Sequence, residues 1–139
     1  MTQILYINWN PDNKIGAPII DEQHRGLIAT INSLYYFIQK GWDLKNLKPT
    51  ILMLEQYIVF HLKTEEGILV ENGLPKDTLA AIHEYRTNFL TQLNNVVESA
   101  IDHHEPEELA SFLAKWWLGH QTEFHEKLNQ YFDKNQASV

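Results

Sequence analysis

Between Leu47 and Leu69 the chain carries an apolar run whose inward positions recur at steps of four and three: Leu47, Ile51, Leu54, Ile58, His61, Glu65 and Ile68. That spacing is the seam of a helix facing other helices. Two of these positions break the aliphatic pattern. His61 and Glu65 stand one helical turn apart on the same face. A buried carboxylate without a partner is costly, so Glu65 is expected to be paired or to hold a metal. The rest of the chain has to supply what completes that site.

Three further stripes repeat the spacing. One runs Ile20, His24, Leu27, Ile31, Leu34, Ile38, after a helix-opening Pro18 and before Gly41. Another carries Leu79, Ile82, Arg86, Phe89, Leu93, Val96 and Ala100, and the last carries Leu109, Leu113, Trp117, His120, Phe124, Leu128 and Tyr131. Pro106 with Glu107 and Glu108 looks like a helix start, acids at the positive end. The sequence therefore predicts an all-α, antiparallel up-down-up-down four-helix bundle in one domain, 1–139, with an arm over 1–17 and helices near 18–40, 46–72, 76–101 and 106–133. In the arm Ile4, Tyr6, Ile7 and Trp9 are sticky and Asn10-Pro11-Asp12-Asn13 turns; the arm is expected to pack on the bundle, and a polar tail begins near Lys134. Gly67, two residues past Glu65, reads as a close helix packing point in preference to a small channel to the site.

This topology brings the start of the first helix, the end of the second, the start of the third and the end of the fourth to one end of the bundle. His24, His61, Glu65, His120 and His125 then share a layer with Ile82 and Arg86. Imidazoles and a carboxylate converging in a bundle core suit a first-row metal. Without a single cysteine there are no thiolate ligands, and iron leads over zinc and manganese. His125 lies five residues beyond His120, about 140° around an α-helix, on the flank of the seam. His83 is one step off its seam and a secondary candidate; His103 and His104 read as solvated loop residues, and Trp116 and Trp117 as core. A formal net charge of −7 with no basic stripe argues against nucleic acid and anionic membranes. No run approaches the roughly 20 apolar residues of a membrane span and no signal peptide is visible, so a soluble cytoplasmic protein is expected.

Several segments, in this order, resemble the hemerythrin family in its bacterial branch: Trp9, Gly16-Ala17-Pro18-Ile19-Ile20-Asp21-Glu22-Gln23-His24, Leu27, Asn32, Phe60-His61 with Glu65-Glu66, Gly73-Leu74-Pro75, Phe89-Leu90-Thr91-Gln92-Leu93 and Trp117-Leu118-Gly119-His120. The resemblance implies a four-helix bundle holding two irons bridged by a Glu and an Asp, with oxygen bound at one of them. It implies His24 and His61 on one iron, Glu65 as a bridge and His120 on the other. The chain departs from that pattern twice. The two histidines expected near the start of the third helix are Ile82 and Arg86, and the bridging Asp is His125.

The departures agree with each other: with one metal there is nothing to bridge. The expectation is a mononuclear non-haem iron site, one iron per chain, formed by His24, His61, Glu65 and His125 with His120 as a fifth ligand. Arg86 is expected to pair with the free oxygen of Glu65. Such a site would bind or sense oxygen, nitric oxide or redox state. The alternatives are a diiron oxygen carrier recruiting His83, His120 and Glu123, and a structural or storage site holding zinc. No catalytic machinery beyond the metal is visible, so an enzyme is not expected; a weak oxidase- or peroxidase-like activity would need an open coordination position.

Overall fold

The computed structural model describes residues 6–9 and 14–137, with side chains through 131. Helix α1 spans Pro18–Gln39, α2 Lys48–Glu71, α3 Lys76–Asp102, α4 Pro106–Gly119 and α5 His125–Ala137. A 3₁₀ turn, Leu44–Leu47, leads into α2, and a π-helical turn, His120–Phe124, joins α4 to α5. Each long helix packs against its sequence neighbour and α4 closes onto α1, which makes an antiparallel four-helix bundle with α4, the π turn and α5 as its fourth member. Among the described residues no helix is long and apolar enough to cross a membrane.

The helix ends follow local chemistry. Pro18 opens α1, where a missing N–H costs nothing. Asp21 reaches back to accept from the N–H groups of Ile15 at 2.8 Å and Gly16 at 3.1 Å, which fixes the entry of the chain. Gly41 and Gly73 adopt φ of +83° and +92° just past α1 and α2. There the N–H groups of Trp42 and Leu74 return to the carbonyls of Phe37 and Leu69. After α3 the same reversal falls on His104, at φ +55°, in the loop expected there.

The arm packs where its apolar residues predict. Tyr6 stacks on Tyr35, Asn32 exchanges two hydrogen bonds with the backbone of Ile7, and the Arg25 guanidinium lies over Trp9. Ile4 and the turn over 10–13 fall outside the described residues. Two expectations change. The fourth helix continues as backbone to Ala137 where a tail was expected from Lys134. Gly67 is exposed, and a Cβ there would meet nothing within 4 Å, so it is not a packing point.

The core is in two parts. The larger fills the bundle from Leu27, Leu62 and Phe89 down to the loop end, and the smaller gathers Ala17, Ile20, Leu69, Leu74, Ile82 and Leu128 at the other end. On α2 the inward line passes from Ile58 and His61 to Leu69, leaving Ile68 only partly covered. A straight helix drifts about 20° per heptad from a 3.5-residue repeat, and here that moves the seam by one residue.

Candidate metal centre

Between the two apolar clusters lies a layer formed by His24, His61, Glu65, His120 and His125, all buried. One ligand atom from each falls within 4.8 Å of the other four. Glu65 Oε1 is the hub. It lies 3.3 Å from His24 Nε2, 2.9 Å from His120 Nε2 and 3.1 Å from His125 Nε2, and closer still to His61 Nε2. His120 Nε2 is 3.3 Å from His61 Nε2 and 3.2 Å from His125 Nε2.

These separations test the fit to a metal. An ion holding donors at ~2.1 Å puts neighbouring donors ~3.0 Å apart at right angles and ~3.4 Å apart at tetrahedral angles. The five spacings of 2.9–3.3 Å fall in or beside that range, while His61 Nε2 stands closer to Glu65 Oε1. The donor set is also short of hydrogens. A single hydrogen on His120 Nε2 cannot serve His61, His125 and Glu65 at once. Glu65 Oε2 also has no hydrogen-bond partner among the described residues. Such an excess of lone pairs around one point calls for a cation.

Protonation states agree. Burial lowers His24 to about 3 and His120 to about 4, so both are neutral imidazoles near pH 7. Burial pushes the Glu65 carboxyl upward, but the imidazoles of His120, His61 and His125 more than offset this and hold it well below the usual range. Neutral imidazoles and a carboxylate are the forms that bind metal.

A network outside the layer aims His61. Thr64 Oγ1 donates to the Phe60 carbonyl, so its lone pair receives Gln23 Nε2 at 3.1 Å. That leaves Gln23 Oε1 as an acceptor, 3.0 Å from His61 Nδ1. His61 therefore carries its hydrogen on Nδ1 and turns a bare Nε2 to the centre. Tyr57 anchors Gln23 by donating to its carbonyl at 2.9 Å. Its hydroxyl crosses α1 over Gly26, where any Cβ would collide with it.

The π turn explains how His120 and His125 meet. In an α-helix they would diverge by about 140°. Over the wider turn, N–H groups at its end return to the carbonyls of His120 and Thr122, and both imidazoles face inward. Such one-turn π segments concentrate at functional sites.

The structure thus brings together all five residues singled out in the sequence. It differs elsewhere. Arg86 does not reach Glu65; its guanidinium pairs with Glu66 Oε2 at 3.0 Å, and His83 pairs with the other oxygen of Glu66. His83 is 47% exposed and outside the layer, and Glu123 is exposed. On the side toward α3 the neighbour is Tyr85, whose hydroxyl is 3.1 Å from His120 Nδ1; burial pushes its pKa up, so the hydroxyl stays protonated. Trp117 is core and packs edge-on against His24, but Trp116 stacks on His120 and is only partly covered. Gln23 and Tyr85 are the contacts that sequence reasoning missed. Gln23 was within a quoted motif and Tyr85 one residue from a seam position, yet neither spacing marks a partner.

A bacteriohemerythrin of Stenotrophomonas maltophilia (strain R551-3) is 26% identical to the chain over 113 residues, 81% of this chain and 72% of that protein. The bundle and the His/Glu layer fit that likeness. The chain is hemerythrin-like. No family model and no solved structure matches it. Against that family's usual ligand set, the hemerythrin-like bundle here has one cluster among its described residues, with Tyr85 and Ile82 on the side where further histidines would stand.

Proposed function

We propose that this hemerythrin-like protein holds one non-haem iron per chain and uses it to bind or sense nitric oxide, oxygen or redox state. One observation carries the reading: five buried donors converge on a single point, and the π turn gives His125 to that point. Iron, when bound, would supply a one-electron centre with five protein donors and a position left for a small ligand. His24, His61, His120 and His125 would be terminal ligands and Glu65 the anionic one. Gln23 and Tyr85 would hold the rings of His61 and His120 by their outer nitrogens.

A single iron does not supply the two electrons that reduce oxygen to peroxide, so nitric oxide binding and redox response stand ahead of reversible oxygen carriage. A diiron carrier is disfavoured by the engagement of His83 and Arg86 with Glu66. A catalytic role is not proposed.

Elemental analysis of protein purified without chelator or nickel tests this. The expected result is one iron per chain and one equivalent of nitric oxide taken up by the reduced protein. Two irons per chain would restore the oxygen carrier, and stoichiometric zinc without redox response would make the site structural.

A further inference from the structure

Next to the layer, α3 and the α4–α5 face leave a groove of about 530 Å³. That is within the usual size of small organic ligand sites, about 300–1,000 Å³. We propose that this groove binds a small aromatic carboxylate, its ring against Trp116 and Tyr85 and its carboxylate toward Lys115. The inference does not rest on iron, since none of these three residues belongs to the donor set.

Three observations point to this occupant. The walls present Tyr85, Trp116 and Phe124, all only partly covered although large rings of this kind are the natural filling of a bundle core. Their rings lie nearly parallel around His120: Trp116 stacks on it at 5.0 Å and 18°, and Phe124 at 4.6 Å and 24°. Tyr85 extends the stack from Phe124 (4.9 Å, 28°) and Phe89 packs tilted on Trp116 (4.7 Å, 38°), so a planar ligand would meet the parts of Tyr85 and Trp116 that these rings leave uncovered.

Gly119 lines the groove and has ordinary helical angles (φ −64°, ψ −41°). A Cβ there would meet nothing within 4 Å. A helical glycine is destabilising relative to alanine, and no neighbour needs the space it leaves.

The rim sets the charge. The chain carries −7 overall, yet the groove is lined by Lys115 and Lys127 against Glu123 alone. Glu123 precedes Lys127 by one turn in the orientation that favours mutual attraction. Lys115 is eight residues from Glu123, ~12 Å along a helix, and has no ion-pair partner among the described residues. The unbalanced charge is therefore positive and sits at the Trp116 end, where a ring-bearing carboxylate would place its anionic group.

The probe is 2-naphthoate, titrated by calorimetry into the full chain. Saturable binding at one per chain is expected. Neutral 2-naphthalenemethanol should bind about two- to five-fold more weakly, the size of an exposed ion pair, and Lys115→Glu should remove that difference. Gly119→Phe adds a large ring at a lining position and should weaken 2-naphthoate by about ten-fold or more. Ala81→Phe, on the α3 wall, repeats the block away from His120, with circular dichroism reporting folding for both. No saturable binding would overturn the proposal. So would tighter binding of the 2-naphthylmethylammonium cation, or full affinity in both blocked variants.

Discussion

From Leu27 to Ile38 on α1, and from Leu109 to Trp117 on α4, the buried positions are all apolar. One or two turns away, in the layer of His24, His61, Glu65, His120 and His125, they are all polar. Two physical regimes thus share one set of helices. The apolar half is held by area removed from water, which is indifferent to protons and metal. The layer is held by charge compensation, so its contribution should follow pH and metal occupancy. Comparing them separates what makes the bundle from what makes the site.

The largest expected effect is in the apolar half. Leu113 is fully buried, and Leu113→Ala should cost about 2–5 kcal/mol in chemical denaturation. The cost should be the same with and without chelator. A chelator-dependent cost would show that the halves are energetically coupled and break the comparison.

Acid should act on the other half. His24 and His120 are pushed down by burial, to about 3 and about 4, below an unfolded value near 6.5. Their folded forms resist protonation, so the stability they contribute is present above pH 6.5 and is lost as pH falls toward 4 and 3. Glu65, also lowered, acts in the same direction. Chelator-treated protein should lose on the order of a few kcal/mol between pH 7 and pH 4. Leu113→Ala should show the same slope as the parent. A flat profile in the parent would mean that the layer opens to water without metal.

A smaller effect is expected at Tyr85. Removing the hydroxyl that faces His120 Nδ1 should cost about 1 kcal/mol and weaken metal binding roughly ten-fold, the lower range for an outer-shell partner. Competition with a metal-sensitive dye measures the affinity. A Tyr85→Phe protein with parental affinity would mean that His120 is held by its stacking on Trp116 and Phe124 alone.

Much of this contrast is legible in the chain because the polar residues interrupt otherwise aliphatic seams. The four-three stepping of α1 and α2 places His24, His61 and Glu65 inward, and short connections bring them to one height. Proline and glycine mark the helix ends to within about two residues. The π turn was not legible: a five-residue step from His120 to His125 puts them about 140° apart in an α-helix, and only the widened backbone turns them together. Nor was the choice between Tyr85 and Arg86. They differ by 100° on α3, and the face is decided by Glu66, which holds Arg86 and His83 to the outside. A heptad written from apolar residues assigns Arg86 inward because it cannot know that a neighbouring helix offers a carboxylate outside.

The smallest effect sharpens the comparison most locally. Gly67 lies two residues past Glu65 in mid-helix, exposed, with open space where a Cβ would be. On propensity alone Gly67→Ala should stabilise the protein by up to about 1 kcal/mol. Metal content should not change, because the substituted methyl touches neither the donors nor Gln23 and Thr64 behind them. Thermal denaturation and elemental analysis on the same preparation check both. A stabilised variant that still loads metal would mean that Glu65 is aimed by its partners, independently of backbone freedom beside it. A stabilised variant that fails to load would mean that α2 must flex at Gly67 for the ion to enter, and the polar layer would then depend on local motion that the apolar half does without.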